Sequence, residues 1–222
     1  MRSLRWALVV SIVVLAAATA NADTITYDFE AQAATALPHR GAYTSISVNN
    51  GGLIMTITRL GGSKFDIIDN VLNSNGDQRG KPASWGQHSL DLYVSELSTN
   101  GFIFTFSAPI TSFSIDYGDY GGDSDSIIMR AYDGTNLTGN LLSSYADSSY
   151  GFHGFPIFAT AAFAAPSILS VYVQGGSDRF PNSLFYDNIT VDATTVPEPC
   201  SLALLSTGLV GLAGIVRRRL RP

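Results

Sequence analysis

The amino-acid sequence predicts an all-β fold. Short runs in which apolar and polar residues alternate recur between residues 23 and 195, as expected of half-buried strands. Clusters of Gly, Asn, Asp and Pro separate these runs, and no segment among them keeps a helical period. Composition agrees: 21 Gly, 12 Phe and 10 Tyr accompany many Thr, Ser, Val and Ile, while the helix formers Glu and Lys are scarce. About ten such runs favour a jelly-roll-like β-sandwich over a barrel or an α/β layer.

The elements follow in chain order. Residues 24–29 (TITYDF), 43–48 (YTSISV) and 53–60 (LIMTITRL) alternate cleanly and are expected strands. Residues 61–87 are polar and irregular and are expected to form a long surface loop. Residues 89–94 (SLDLYV) are the next strand. In GFIFTFSAPITSFSIDYGD, Phe102, Phe104 and Phe106 share one face and Phe113, Ile115 and Tyr117 another, with Pro109 between them. This stretch is expected to form two paired strands joined by a turn. Residues 126–133, 157–164, 168–174 and 184–191 complete the set, and residues from Thr194 to Pro199 link to the C-terminal tail.

The 222 residues suffice for one domain with accessory segments. Six of the 13 basic residues, Arg2, Arg5, Arg217, Arg218, Arg219 and Arg221, lie at the two ends. The remaining 7 face 18 acids, a balance of -11 that repels phosphate backbones and excludes nucleic acid as a partner. Cys200 is the single cysteine, so the chain has no intrachain disulfide and no thiolate cluster for zinc or iron-sulfur binding.

The two ends read as addresses. Residues 1–22 have basic Arg2 and Arg5, an apolar stretch from Trp6 to Ala18, and small residues at Ala20 and Ala22. This is the layout of a secretory signal helix cleaved after Ala22. At the other end, Cys200 to Val216 is an uncharged stretch of 17 residues, about 25 Å as a helix and just long enough to span a bilayer. Arg217, Arg218 and Arg219 follow it and hold that end in the cytoplasm, which leaves the body outside. Before the run, Pro197 and Pro199 bar regular helix or central strand, so Val196–Pro199 is expected to be extended and open to a protease.

Pro197, Glu198 and Pro199, then a Gly- and Leu-rich span, then Arg217 to Arg219, together resemble the PEP-CTERM sorting signal of exported bacterial proteins. The resemblance divides the chain into a signal peptide (1–22), a β-sandwich (23–195) and a sorting tail (196–222) with a single transmembrane helix at 200–216. It implies an exosortase-type membrane enzyme as a partner, one that recognises Pro197-Glu198-Pro199 and removes or exchanges the tail. It also implies an inner-membrane-anchored precursor that ends at the cell surface or outside the cell. A permanent single-span anchor fits the same residues.

YDFE (27–30), DYGDYGGDSDSIIMRAYDGTNLTGNLL and FYDNITV (185–191) resemble the jelly-roll domains carried by many PEP-CTERM proteins, whose layout is similar to that of carbohydrate-binding modules. In that layout the first and last strands run side by side, which would bring Glu30 near Asp187. One carboxylate from each end could then hold a calcium ion, whose six to eight oxygen ligands include backbone carbonyls. The alternative is that both are ordinary strand-end carboxylates.

Asp116, Asp119, Asp123 and Asp125 do not follow the EF-hand spacing and are expected in a solvated turn. Trp85, Tyr93, Tyr117, Tyr120, Tyr150 and Phe152 lie in or beside expected loops, where aromatic rings could stack on sugars. His39, His88 and His153 match no zinc motif, and no nucleophile elbow or phosphate loop appears. The expectation is therefore a surface or matrix protein that binds or builds extracellular polysaccharide and is not an enzyme. A secreted carbohydrate-active enzyme is the alternative, because carboxylate pairs made by folding leave no local spacing.

Overall fold

The computed structural model describes residues 23–34, 41–69, 83–91, 99–119, 124–150 and 157–194, together with Gly208. The signal segment 1–22, Pro197, Glu198, Pro199, the apolar run 200–216 apart from Gly208, and Arg217, Arg218 and Arg219 lie outside the described residues. Among the described residues no helix is long and apolar enough to cross a membrane. Asp23–Thr194 forms one compact unit.

That unit is an all-β sandwich of ten strands: β1 (Asp23–Tyr27), β2 (Ser45–Asn50), β3 (Leu53–Arg59), β4 (Asp66–Asp69), β5 (His88–Asp91), β6 (Phe102–Asp119), β7 (Ser124–Tyr132), β8 (Leu141–Tyr150), β9 (Ile157–Gly176) and β10 (Phe185–Ala193). Every recorded strand pairing is antiparallel. The hydrogen bonding runs through one continuous network, and the two layers arise because β6 and β9 each pass from one layer to the other.

The bend in β6 follows from distance. Phe104 and Phe113 are nine residues apart, about 30 Å in a straight strand, yet their rings lie 5.7 Å apart. The strand must therefore turn a corner, and its register slips between Thr105 and Ile110 and again between Ile110 and Ser112. Pro109, with no N–H to give a ladder, sits at that slip. The inward face changes with it, from Phe102, Phe104, Phe106 and Ile110 before the corner to Phe113, Ile115 and Tyr117 after it. β9 bends with β6 around Pro166 and Ser167, the latter at φ 59.

In one layer β2, β3, the first part of β6, the last part of β9, β7 and β8 lie side by side. In the other, β10 pairs with β1, β5 and the second part of β6, which in turn pairs with the first part of β9. Between the layers the rings of Phe65, Phe102, Phe104, Phe113 and Phe163 touch in sequence. Each fully buried large side chain contributes about 1.5–3 kcal/mol by leaving water.

Four expectations are corrected. The two halves of β6 do not pair with each other; they are one strand folded across the core. Residues 157–164 and 168–174 are likewise one strand, β9. The expected loop at 61–87 contains β4, and Phe65 within it is fully buried and bridges to Tyr43. β8 was not anticipated, because LLSSYADSSY is a polar strand that pairs, among the described residues, with β7 alone, and carries no apolar alternation.

Candidate functional site

β1 and β10 pair from Asp23 with Ala193 to Tyr27 with Ile189, so the chain beyond Tyr27 lies beside the residues just before Ile189. There β10 carries a bulge, a register shift between Asp187 and Thr190, with Asn188 in the left-handed region at φ 45. The bulge buries Asp187 completely beside the buried Tyr186. Asp187 Oδ1 accepts the Asn188 N–H at 2.7 Å, while Oδ2 is buried without a partner.

Three further carboxylates surround it. Glu30 follows Phe29, itself at φ 58, and its Oε1 accepts the backbone N–H groups of Gln87 at 2.8 Å and His88 at 2.9 Å. Gly86, at φ +56, makes this approach possible, since a Cβ there would run into the Glu30 carboxylate. Asp28 Oδ1 accepts the Glu30 N–H at 3.3 Å. Asp116, on the second part of β6, accepts from Thr160 at 2.5 Å and from Asn188 Nδ2 at 3.0 Å. The same Asn188 Nδ2 donates to Ser84 O at 3.0 Å and so ties the bulge to the 83–85 turn.

Burial pushes the Asp187 carboxyl up to about 9; the Asn188 N–H opposes this, and the negative charges of Glu30, Asp116 and Asp28 add to it. A buried carboxylate with an unpaired oxygen and only negative neighbours acting on it is a position suited to a hard cation. Among the described residues no three His, Cys, Asp or Glu side chains form a ready-made metal cage. A cation here would draw on Asp187 and Glu30, with backbone carbonyls and water completing its shell.

The structure thus brings the two sequence-derived residues, Glu30 and Asp187, into one electrostatic group. It adds Asp28, Asp116 and Asn188, which sequence spacing did not connect. The expected solvated aspartate turn is corrected: Asp116 is half-buried in this group, whereas Asp125 is buried elsewhere and accepts from Ser183 at 3.2 Å. The aromatic expectation is corrected at two positions, because Trp85 and Tyr117 are core residues at 1% and 2% exposure. Tyr93, Tyr120, Phe152 and the side chain of Tyr150 lie outside the described residues, as do His39, His153, Asp123 and the side chain of Asp119.

No protein-family model and no curated protein matches the chain. Solved structures overlap with it in part. An adhesin domain of Lys-gingipain overlaps at a TM-score of 0.47 and 10% identity, over 76% of this chain and 97% of that one. A CBM22-1 xylan-binding domain from Paenibacillus barcinonensis overlaps at 0.35 and 12%, over 81% and 99%. A Clostridium thermocellum xylanase chain with CBM22-1 and GH10 modules overlaps at 0.38 and 10%, over 63% of this chain and 26% of that one. At these levels none carries a site or a ligand across to this chain.

Proposed function

We propose that this chain is an exported bacterial surface or matrix protein, sorted through its C-terminal tail by an exosortase-type enzyme, and that its body is a non-catalytic, glycan-binding β-sandwich clamped by calcium. The observation that carries the sorting half is the order of Pro197-Glu198-Pro199, the apolar run and Arg217 to Arg219 at one end of the sequence. The pairing of first strand with last supports a jelly-roll-like layout for the body. Calcium is supported by the orphaned Oδ2 of Asp187 among negative neighbours.

The placement of the ends supports the same reading. Asp23 pairs with Ala193, and Thr194 is held to Pro109 O at 2.8 Å, so the chain enters and leaves the sandwich at one pole. From Ala193 back to Asp187 is about 20 Å along β10, so the carboxylate group lies toward the other pole.

Intact mass of the protein recovered from its native host tests the sorting half. A species beginning at Asp23 and lacking Arg217 to Arg219 is expected. Retention of the full tail would replace processing with a permanent single-span anchor.

A further inference from the structure

The carboxylate group around Asp187 is also where residues 83–88 are fastened to the body. These residues lead into β5, whose Leu90 pairs with Ile67 of β4 and with Tyr186 of β10. β5 is thus held by strand pairing, whereas the residues that lead into it are gripped through side chains. Glu30 Oε1 accepts the N–H groups of Gln87 and His88, and Asn188 Nδ2 donates to Ser84 O. Trp85 lies between these ties and is buried.

Both ties end on members of the carboxylate group. Glu30 acts electrostatically on Asp187. Asn188 gives its backbone N–H to Asp187 Oδ1 at 2.7 Å and shares Nδ2 between Ser84 O and Asp116 Oδ2, each at 3.0 Å. Hydrogen bonds tolerate little displacement, and a shift of about 1 Å takes them out of range. Glu30 and the β10 bulge therefore cannot move without loosening the segment. Gly86 makes the fit close, because a Cβ there would meet the Glu30 carboxylate.

The charges set the direction of the effect. Glu30, Asp116 and Asp28 act on Asp187 with one sign, so the group as it stands opposes its own assembly. That opposition weakens the hold of Glu30 on Gln87 and His88. A divalent cation between Glu30 and Asp187 reverses it, because each carboxylate is then drawn to the ion. Glu30 is fixed in the position from which it grips the backbone.

We propose that this group is a latch on residues 83–88: calcium held by Glu30 and Asp187 keeps the segment docked, and its removal lets the segment open while the rest of the sandwich stays folded. The latch rests on the calcium reading above and names what that site controls. Opening of this kind is sub-global and uncovers Trp85 without full unfolding. Extracellular modules bind calcium at about 10⁻⁴–10⁻³ M, so in an exported chain the latch closes outside the cell.

The test follows amide hydrogen exchange of the full chain in EDTA and in calcium up to about 10⁻² M, with thermal melting alongside. In EDTA, Gln87 and His88 should exchange faster than the core amides of Ile57 and Phe104. Calcium should slow them about tenfold or more beyond any slowing in the core. Glu30→Gln keeps an oxygen to accept both N–H groups but loses the charge, so the calcium response at Gln87 and His88 should vanish. Asn188→Gly suits the left-handed bulge and removes the tie to Ser84, so Gly86 should exchange faster even with calcium bound. Equal slowing of core and segment overturns the latch and leaves a clamp on the whole fold. A response that survives Glu30→Gln, or an unaltered Gly86 in Asn188→Gly, also overturns it. If calcium changes neither exchange nor melting, the calcium reading falls and the latch falls with it.

Discussion

Asn188 on β10 reaches Asp116 on β6 through its Nδ2 at 3.0 Å, and its backbone N–H holds Asp187 Oδ1 at 2.7 Å. One residue in a left-handed bulge thus fixes two of the carboxylates in the candidate site. The price of that arrangement falls on Asp187, which is buried with one oxygen unmatched.

The first prediction concerns pH. Asp187 is raised to about 9 by burial and negative neighbours, against 3.8 ordinarily, so the metal-free folded state holds a proton that the unfolded chain releases. The stability this supplies is fully present below about pH 4 and is lost as pH rises toward 9. In EDTA, the wild-type melting temperature should fall between pH 5 and 9, and Asp187→Asn should flatten the decline. An equal slope in both proteins would remove Asp187 as its source.

Calcium should reverse that loss. At calcium near 100 times its dissociation constant, binding adds about 2.7 kcal/mol, or a rise of about 5–10 °C in melting temperature for a body of this size. Asp187 must ionise to bind, so a proton is released and affinity increases with pH up to about 9. Melting with and without calcium in wild type, Asp187→Asn and Glu30→Gln checks this. The shift belongs to wild type alone, and an unmoved wild-type midpoint excludes the clamp.

Much of the fold was legible because alternation survives wherever one face of a strand is buried, as in LIMTITR of β3. It failed where that condition lapses. β8 is a polar strand that pairs, among the described residues, with β7 alone, and β4 (DIID) is too short to show a period. The break in pattern at Pro109 is real, but a break does not distinguish a hairpin from a strand that bends into the facing layer. Glu30 and Asp187 were reachable through the layout of first and last strands. Asp28, Asp116 and Asn188 were not, because their meeting depends on the bulge and on the pairing of β6 with β10.

The β6 corner predicts the cost of a core truncation. Phe113 is fully buried after the bend and touches Phe104, Phe106 and Phe163, so it packs against both layers. Phe113→Ala should cost about 3–5 kcal/mol in urea unfolding, whereas truncating exposed Leu141 should change stability by under about 0.5 kcal/mol. A small loss at Phe113 would mean that the layers do not meet there.

The last prediction separates the carboxylate site from the core. Gly86 is at φ +56, and a Cβ there would meet Glu30 Oε1, the atom that accepts from Gln87 and His88. Gly86→Ala therefore strains the backbone and displaces the Glu30 carboxylate together, at a cost of about 1–3 kcal/mol. If Glu30 serves only as a clasp on the 86–88 backbone, the variant loses stability yet keeps its calcium-induced rise in melting temperature. If Glu30 also supplies an oxygen to the ion, the rise shrinks with the stability. The second outcome is expected, because Glu30 acts electrostatically on Asp187 while its bonds to the Gln87 and His88 N–H groups run through Oε1. Melting curves of Gly86→Ala with calcium and with EDTA decide between them.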